Sequence, residues 1–239
     1  MNTWFQFKQF TIHQEKTAMK VCTDACLFGA WVANKIELKE IKAANILDIG
    51  CGTGLLSLML AQKTKAQIDA VEIDKNAFEQ AKENINLTEW KEQINIHHGS
   101  IIDFKTTKKY GLIICNPPFY ENQLKSVDAA LNTAMHATTL SYKDLIISVK
   151  NNLAQGGSVA VLLPYYAIIE FEEALLNHQL FIYEKCNVSH SPKHPYFRNM
   201  VIFSQVKKVS SEDSILIKNI NNFYSEEFIE LLKDYYLSF

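Results

Sequence analysis

The 239-residue chain is 48% hydrophobic and 21% charged, and its 24 basic and 26 acidic residues leave a net charge of −2. That apolar content excludes a mainly disordered chain, and a chain this long buries roughly 70–75% of its unfolded surface without disulfide staples. Apolar runs such as 159–163 fall far short of the ~20 residues of a membrane span, residues 1–10 lack the apolar core of a secretory signal, and the near-neutral balance is unlike that of a dedicated nucleic-acid binder.

Residues 1–40 read as an N-terminal extension, 41–210 as the main domain, and 211–239 as a strand and helix packed on that domain. Residues 44–49 are an apolar run, and 55–63 have helical composition. A strand is expected at 67–72 and a helix at 75–87, with Asp74 placed to cap it. Strands follow at 94–98, 111–115 and 157–163, and helices near 142–153 and 166–177. The last two strands, 181–189 and 199–206, are joined by a turn holding Pro192 and Pro195, which implies an antiparallel edge hairpin. Strands alternating with helices mean βαβ units. The expected fold is an α/β sandwich with a seven-stranded, mostly parallel sheet and helices on both faces. In the tail, 214–217 is a short strand and 226–236 an amphipathic helix, with Phe228, Leu232 and Tyr235 on its apolar face.

Charge is unevenly spread. Residues 183–210 hold five cations and one anion, whereas 211–239 hold six anions and two cations. Lys185, Lys193, Lys207 and Lys208 are therefore a candidate phosphate-binding patch. Five scattered cysteines point to a reducing cytosol rather than a disulfide framework. Cys22 and Cys26 have no matching second ligand pair and the seven histidines show no ligand spacing, so no metal is expected.

The first strand runs into Asp48-Ile49-Gly50-Cys51-Gly52-Thr53-Gly54. Glycines there let the backbone turn sharply and let a ligand come close, at the carboxyl ends of the strands where ligands sit in open α/β sheets. A dinucleotide fingerprint would have glycine at 55, where leucine stands. Gly-x-Gly-x-Gly instead resembles the S-adenosylmethionine loop of class I methyltransferases. In that family the acid of the first strand, here Asp48, and the loop hold the methionine end of the cofactor. Glu72 closes the second strand, placed to accept both ribose hydroxyls.

The fourth strand runs into Asn116-Pro117-Pro118-Phe119. Two prolines fix a rigid, extended turn without amide donors. The acceptors that remain are the Asn116 side-chain oxygen and the Pro117 carbonyl. An exocyclic amine or amide is a poor nucleophile because its lone pair is delocalised. Two acceptors binding its N–H groups turn that lone pair toward an electrophilic methyl. This is work of orientation and fixed electrostatics rather than of a strong base. Phe119 offers a face for an extruded base.

This motif resembles the amino-methyltransferases of adenine, guanine and protein glutamine. Forty N-terminal residues are too few for the helical domain of the glutamine enzymes, and no target-recognition domain of the DNA enzymes is present. The stretches Phe7-Lys8-Gln9-Phe10, Ala18-Met19-Lys20-Val21-Cys22-Thr23-Asp24 and Leu27-Phe28-Gly29-Ala30-Trp31, with Arg198 and the tail Tyr224-Ser225-Glu226, resemble the bacterial tRNA(Val) adenine N6-methyltransferase family end to end. The resemblance implies S-adenosylmethionine as cofactor and adenine 37 of a tRNA as substrate, with the extension packing over the cofactor site. It also places Thr23 and Asp24 at the methionine end, although the same pair could cap a helix starting near Ala25. Where the family has an acid against the cofactor adenine, this chain has Ser100. Its substrate loop reads Ala134-Met135-His136. Arg198, the only arginine, is either a phosphate contact beside Lys193 or a partner in an edge-strand ion pair. The reading implied is a cytoplasmic, monomeric enzyme without metal or membrane partner. Its rivals are a ribosomal RNA guanine N2 or protein glutamine N5 methyltransferase, and a non-catalytic RNA-binding module.

Overall fold

The computed structural model describes residues 2–117 and 140–239. A small hairpin, β1 (Trp4–Gln6) and β2 (Thr11–His13), precedes α1 (Thr23–Glu37). Then come β3 (Asn45–Ile49), α2 (Leu55–Ala61), β4 (Gln67–Glu72), α3 (Lys75–Asn86), β5 (Ile94–His98) and β6 (Tyr110–Cys115). After the undescribed stretch follow α4 (Tyr142–Asn152), β7 (Leu153–Pro164), a 3₁₀ turn (Tyr165–Ala167) and α5 (Ile168–Leu176). The chain ends with β8 (Phe181–Ser189), β9 (Tyr196–Ser204), β10 (Ser211–Leu216) and α6 (Glu226–Leu232).

The main sheet has eight strands in the order β10-β8-β9-β7-β6-β3-β4-β5, and all run parallel except β9. Seven of the strands are those the sequence predicts. The closing hairpin does not form the edge, however, because β10 pairs with β8 and becomes the eighth and outermost strand.

Alternation along the central strands builds two cores. On β6, Leu112 and Ile114 face α1, α2 and the N-terminal hairpin, where Phe28, Leu58, Met59 and Phe7 are buried. Ile113 and Cys115 face the opposite way, toward Leu145, Val149 and Phe171 of α4 and α5. Burying such a strand on both faces demands apolar residues at every position, as in the fully buried run Leu112–Cys115. Asp74 caps α3 by accepting from the Ala77 amide at 2.8 Å, as the sequence predicts.

The N-terminal extension packs into the domain core. Residues 25–33 of α1 are buried without interruption, and Phe7 and Phe10 stack at 4.6 Å between ring centroids. The extension is tied to the domain through α3. Asn84, fully buried, donates to the carbonyls of His13 (2.8 Å) and Thr53 (2.9 Å) and accepts from the His13 amide (3.0 Å).

Candidate functional site

The carboxyl ends of the parallel strands share one rim. The pairings Ile49 with Cys115, Val71 with Ile49, Glu72 with His98 and Cys115 with Val161 set these ends side by side. Because β9 runs the other way, its beginning joins the same rim, with Arg198 opposite Pro164. Topology therefore gathers the glycine loop, Glu72, Ser100, Asn116 and Arg198 at one end of the sheet.

The glycine loop leaves β3 and enters α2, whose N-cap is Gly54. Gly50 and Gly52 have φ of +70° and +57°, and a Cβ built on either would meet nothing within 4 Å. The loop thus presents bare backbone to open space, in a conformation that costs an L side chain roughly 1–2 kcal/mol. Its shape is fixed from beneath. The Gly50 and Cys51 amides donate to the Val71 carbonyl at 2.8 and 3.2 Å, and Asn84 holds Thr53.

Glu72 is the main clamp. One of its oxygens accepts from the Gly52 amide and the other from the Asp74 amide, each at 2.8 Å. The carboxylate is buried, yet an ionised carboxylate has about four acceptor positions. Two therefore remain for ligand hydroxyls.

Asp48 is fully buried, and its Oδ2 accepts from the Ser57 hydroxyl at 2.6 Å while its Oδ1 has no partner. Burial pushes its carboxyl up to about 7; the Ser57 hydrogen bond opposes the shift and nearby Glu72 adds to it. The folded value then lies above the unfolded value of 3.8, so the folded state binds the proton more tightly. This contribution to stability is complete below pH ~4 and is lost as pH rises to about 7. Asp48→Asn should therefore gain on wild type across that window. The gain at pH 8 should be on the order of 2–4 kcal/mol in urea unfolding. Parallel pH profiles for the two proteins would contradict this.

Asn116 and Pro117 lie immediately beyond β6, Asn116 half-buried and Pro117 buried. Pro118, Phe119 and the 134–136 stretch fall outside the described residues. Ser100 is half-buried two residues beyond β5, and its hydroxyl accepts from the Ile102 amide at 3.2 Å, which leaves its proton to donate.

Thr23 and Asp24 do not cap α1. The helix begins at Thr23, its N-cap is Cys22, and no side chain caps it. Asp24 instead accepts from Nε of Arg198 at 2.7 Å. Burial alone would raise the Asp24 carboxyl, but hydrogen bonds from Cys22 and Arg198 outweigh it and the net shift is downward. Of the two readings of Arg198, the ion pair is present; its partner lies on α1 rather than on the sheet edge.

The four-lysine patch does not assemble. Lys185 pairs with Glu172 at 2.7 Å. Lys207 and Lys208 follow the far end of β9 and lie over Phe181 and Tyr183. Only Lys193, exposed in the β8–β9 turn, stands at the functional rim.

The methyltransferase small domain family matches residues 32–164. The tRNA1(Val) (adenine(37)-N6)-methyltransferase of Cytophaga hutchinsonii is 39% identical over 241 residues, spanning 99% of each chain. This chain belongs to the tRNA1(Val) (adenine(37)-N6)-methyltransferase family. Solved structures share the fold. A predicted O-methyltransferase from Agrobacterium tumefaciens superposes with a TM-score of 0.67 at 15% identity, covering 88% of this chain and 96% of that one. A glycopeptide N-methyltransferase complexed with S-adenosyl-L-methionine gives 0.54 at 10% identity, covering 75% and 88%.

Within this family member, sequence reasoning missed Asn84. An asparagine inside a helix, where it is a poor former, was the available signal. Two cavities, of about 870 and 400 Å³, flank the β5–β6 connection rather than the glycine loop; the smaller reaches Ser100. Among the described residues no group of three or more His, Cys, Asp or Glu could hold a metal ion, and no helix is long and apolar enough to cross a membrane.

Proposed function

We propose that this protein methylates N6 of an adenine in tRNA, adenine 37 of tRNA1(Val), using S-adenosylmethionine. The observation that carries the reading is the position of Asn116-Pro117 at the end of β6, the strand paired with the one that feeds the open glycine loop. The relatives named for that reaction support the substrate.

The residues present fit the cofactor. Gly50 and Gly52 leave a cradle that side chains would fill. Glu72 keeps acceptors for ribose hydroxyls, Ser100 a donor for the adenine, and the unpartnered Asp48 oxygen lies beneath the loop. Asp24, held by Arg198, fits the methionine end together with Thr23. The N-terminal extension, tied to Thr53 through Asn84, closes over this site.

When bound, the cofactor supplies an electrophilic methyl on a sulfonium. The Asn116 side-chain carbonyl and the Pro117 carbonyl accept the two N6 hydrogens and direct the nitrogen lone pair. Phe119 stacks on the base, and Lys193 and the remaining N–H groups of Arg198 meet phosphate. The protein works as a cytoplasmic monomer; its five cysteines, all free thiols, suit a reducing compartment.

The test is incubation with labelled cofactor and, separately, unmodified tRNA, ribosomes and release factor, followed by nucleoside and peptide mass spectrometry. Labelled N6-methyladenosine from tRNA is expected. Label in guanosine or glutamine would replace this reading with a related amino-methyltransferase, and no cofactor binding by calorimetry would leave a non-catalytic module.

A further inference from the structure

Beyond the glycine loop and Asn116, the functional rim carries exposed aromatic side chains. Tyr165 and Tyr196 are each 39% exposed, with ring centroids 5.3 Å apart, and Tyr166 is 61% exposed. Tyr165 follows Pro164, the last residue of β7, and Tyr196 opens β9 two residues before Arg198, the partner of Pro164. Asn116 stands one strand away. It follows Cys115, which is level with Val161, so about three residues of β7 separate their levels. At about 3.3 Å per residue and 4.8 Å between strands, Tyr165 lies roughly 10 Å from Asn116.

The β8–β9 turn beside these rings offers an exposed cation, Lys193, to a polyanion. From Ser189 to Arg198 there is no acidic residue, and the stretch holds Lys193, Arg198 and two histidines. Arg198 and Asp24 neutralise each other, and exposed Glu170 lies one helical turn beyond Tyr166, so Lys193 is the cation left for the RNA backbone. His190 stacks on Phe197 at 4.1 Å and 5° beside them. Exposed rings beside cations are the chemistry of single-stranded nucleic-acid binding: bases stack on the rings while cations follow the backbone.

We propose that Tyr165, Tyr166 and Tyr196 form a stacking platform for the bases flanking the target adenine, with Lys193 against the intervening phosphates. This rests on the tRNA reading above and extends it to the neighbouring nucleotides. The platform grips the loop while the target base alone enters the cleft at Asn116, so it contributes to RNA affinity rather than to the chemical step.

The test is binding of an unmodified anticodon stem–loop RNA by wild type, Tyr165→Ala/Tyr196→Ala, Tyr165→Phe/Tyr196→Phe and Tyr166→Ala, with cofactor affinity measured in parallel. The alanine pair should weaken RNA binding about tenfold to a hundredfold. Cofactor affinity should stay within about threefold, and the phenylalanine pair should bind RNA like wild type. Tyr166→Ala alone, at the most exposed ring, should weaken binding severalfold, which keeps the test alive if the alanine pair fails to fold. Unchanged RNA affinity in the alanine variants, or equal loss in the phenylalanine pair, would overturn the platform. Because the readout is binding, a wild type that grips the RNA but methylates no adenine would sink the catalytic reading and leave the platform standing.

Discussion

Asn116→Ala is expected to lower kcat for tRNA methylation by about 10³-fold or more, while cofactor affinity stays within about threefold. In the proposed mechanism the side-chain oxygen at the end of β6 is one of the two acceptors that hold the amine, and alanine removes it. Because the group acts on the reacting nitrogen, the loss belongs to kcat and not to KM. Single-turnover transfer and calorimetry on one preparation separate the two. Full transfer by the variant would refute the assigned role. So would an equal loss of cofactor binding, since Asn116 would then be part of the cradle alone.

Glu72→Ala should combine a loss of stability with a loss of cofactor binding. It strips the acceptors from the Gly52 and Asp74 amides. Hydrogen bonds to a charged group are worth about 1.5–3 kcal/mol each, so a loss of ~3 kcal/mol or more is expected. In a chain of this size that lowers Tm by roughly 6–12 °C. Cofactor affinity should fall at least about a hundredfold, because the loop relaxes and the ribose acceptors vanish together. Glu72→Gln should rescue little. Its amide keeps one acceptor, but its NH₂ group would face an amide donor. Calorimetry and thermal unfolding check both effects, and a Gln variant with wild-type affinity would show that the carboxylate charge is not needed.

Much of the architecture was legible because burial on both faces leaves a strong signal. The strands at 67–72, 94–98 and 181–189 match at both ends, although polar residues interrupt each; Ile68, Ala70 and Val71, Ile94 and Ile96, and Tyr183, Cys186 and Val188 supply their apolar positions, and β5 at the sheet edge is largely exposed. The glycine loop and Asp74 were legible because each answers a local backbone need.

What escaped was non-local or locally ambiguous. The helix α1 was legible only as an alternative reading starting near Ala25, because its residues 25–33 are buried and show no polar face, and its cap is a cysteine without a capping bond. The strand expected at 214–217 forms, but β10 begins earlier, at the polar Ser211-Glu212-Asp213, which an outermost strand can leave exposed. Gly156 and Gly157 suggested that β7 starts at 157, yet it starts at Leu153, with a register shift against β6 absorbing the glycines. The lysine patch failed for a geometric reason. Residues near in sequence are far apart when nine residues of strand, roughly 30 Å, lie between Lys193 and Lys207. The pairing of Asp24 with Arg198 spans 174 positions, and nothing local announces it.

The most direct measurement is a crystal structure of the protein with demethylated cofactor product and an adenine-containing anticodon-loop RNA. The adenine N6 should lie within about 3 Å of both the Asn116 side-chain oxygen and the Pro117 carbonyl, with the sulfur of the cofactor product in line behind it. An adenine bound elsewhere, or an Asn116 oxygen turned away from N6, would contradict the account.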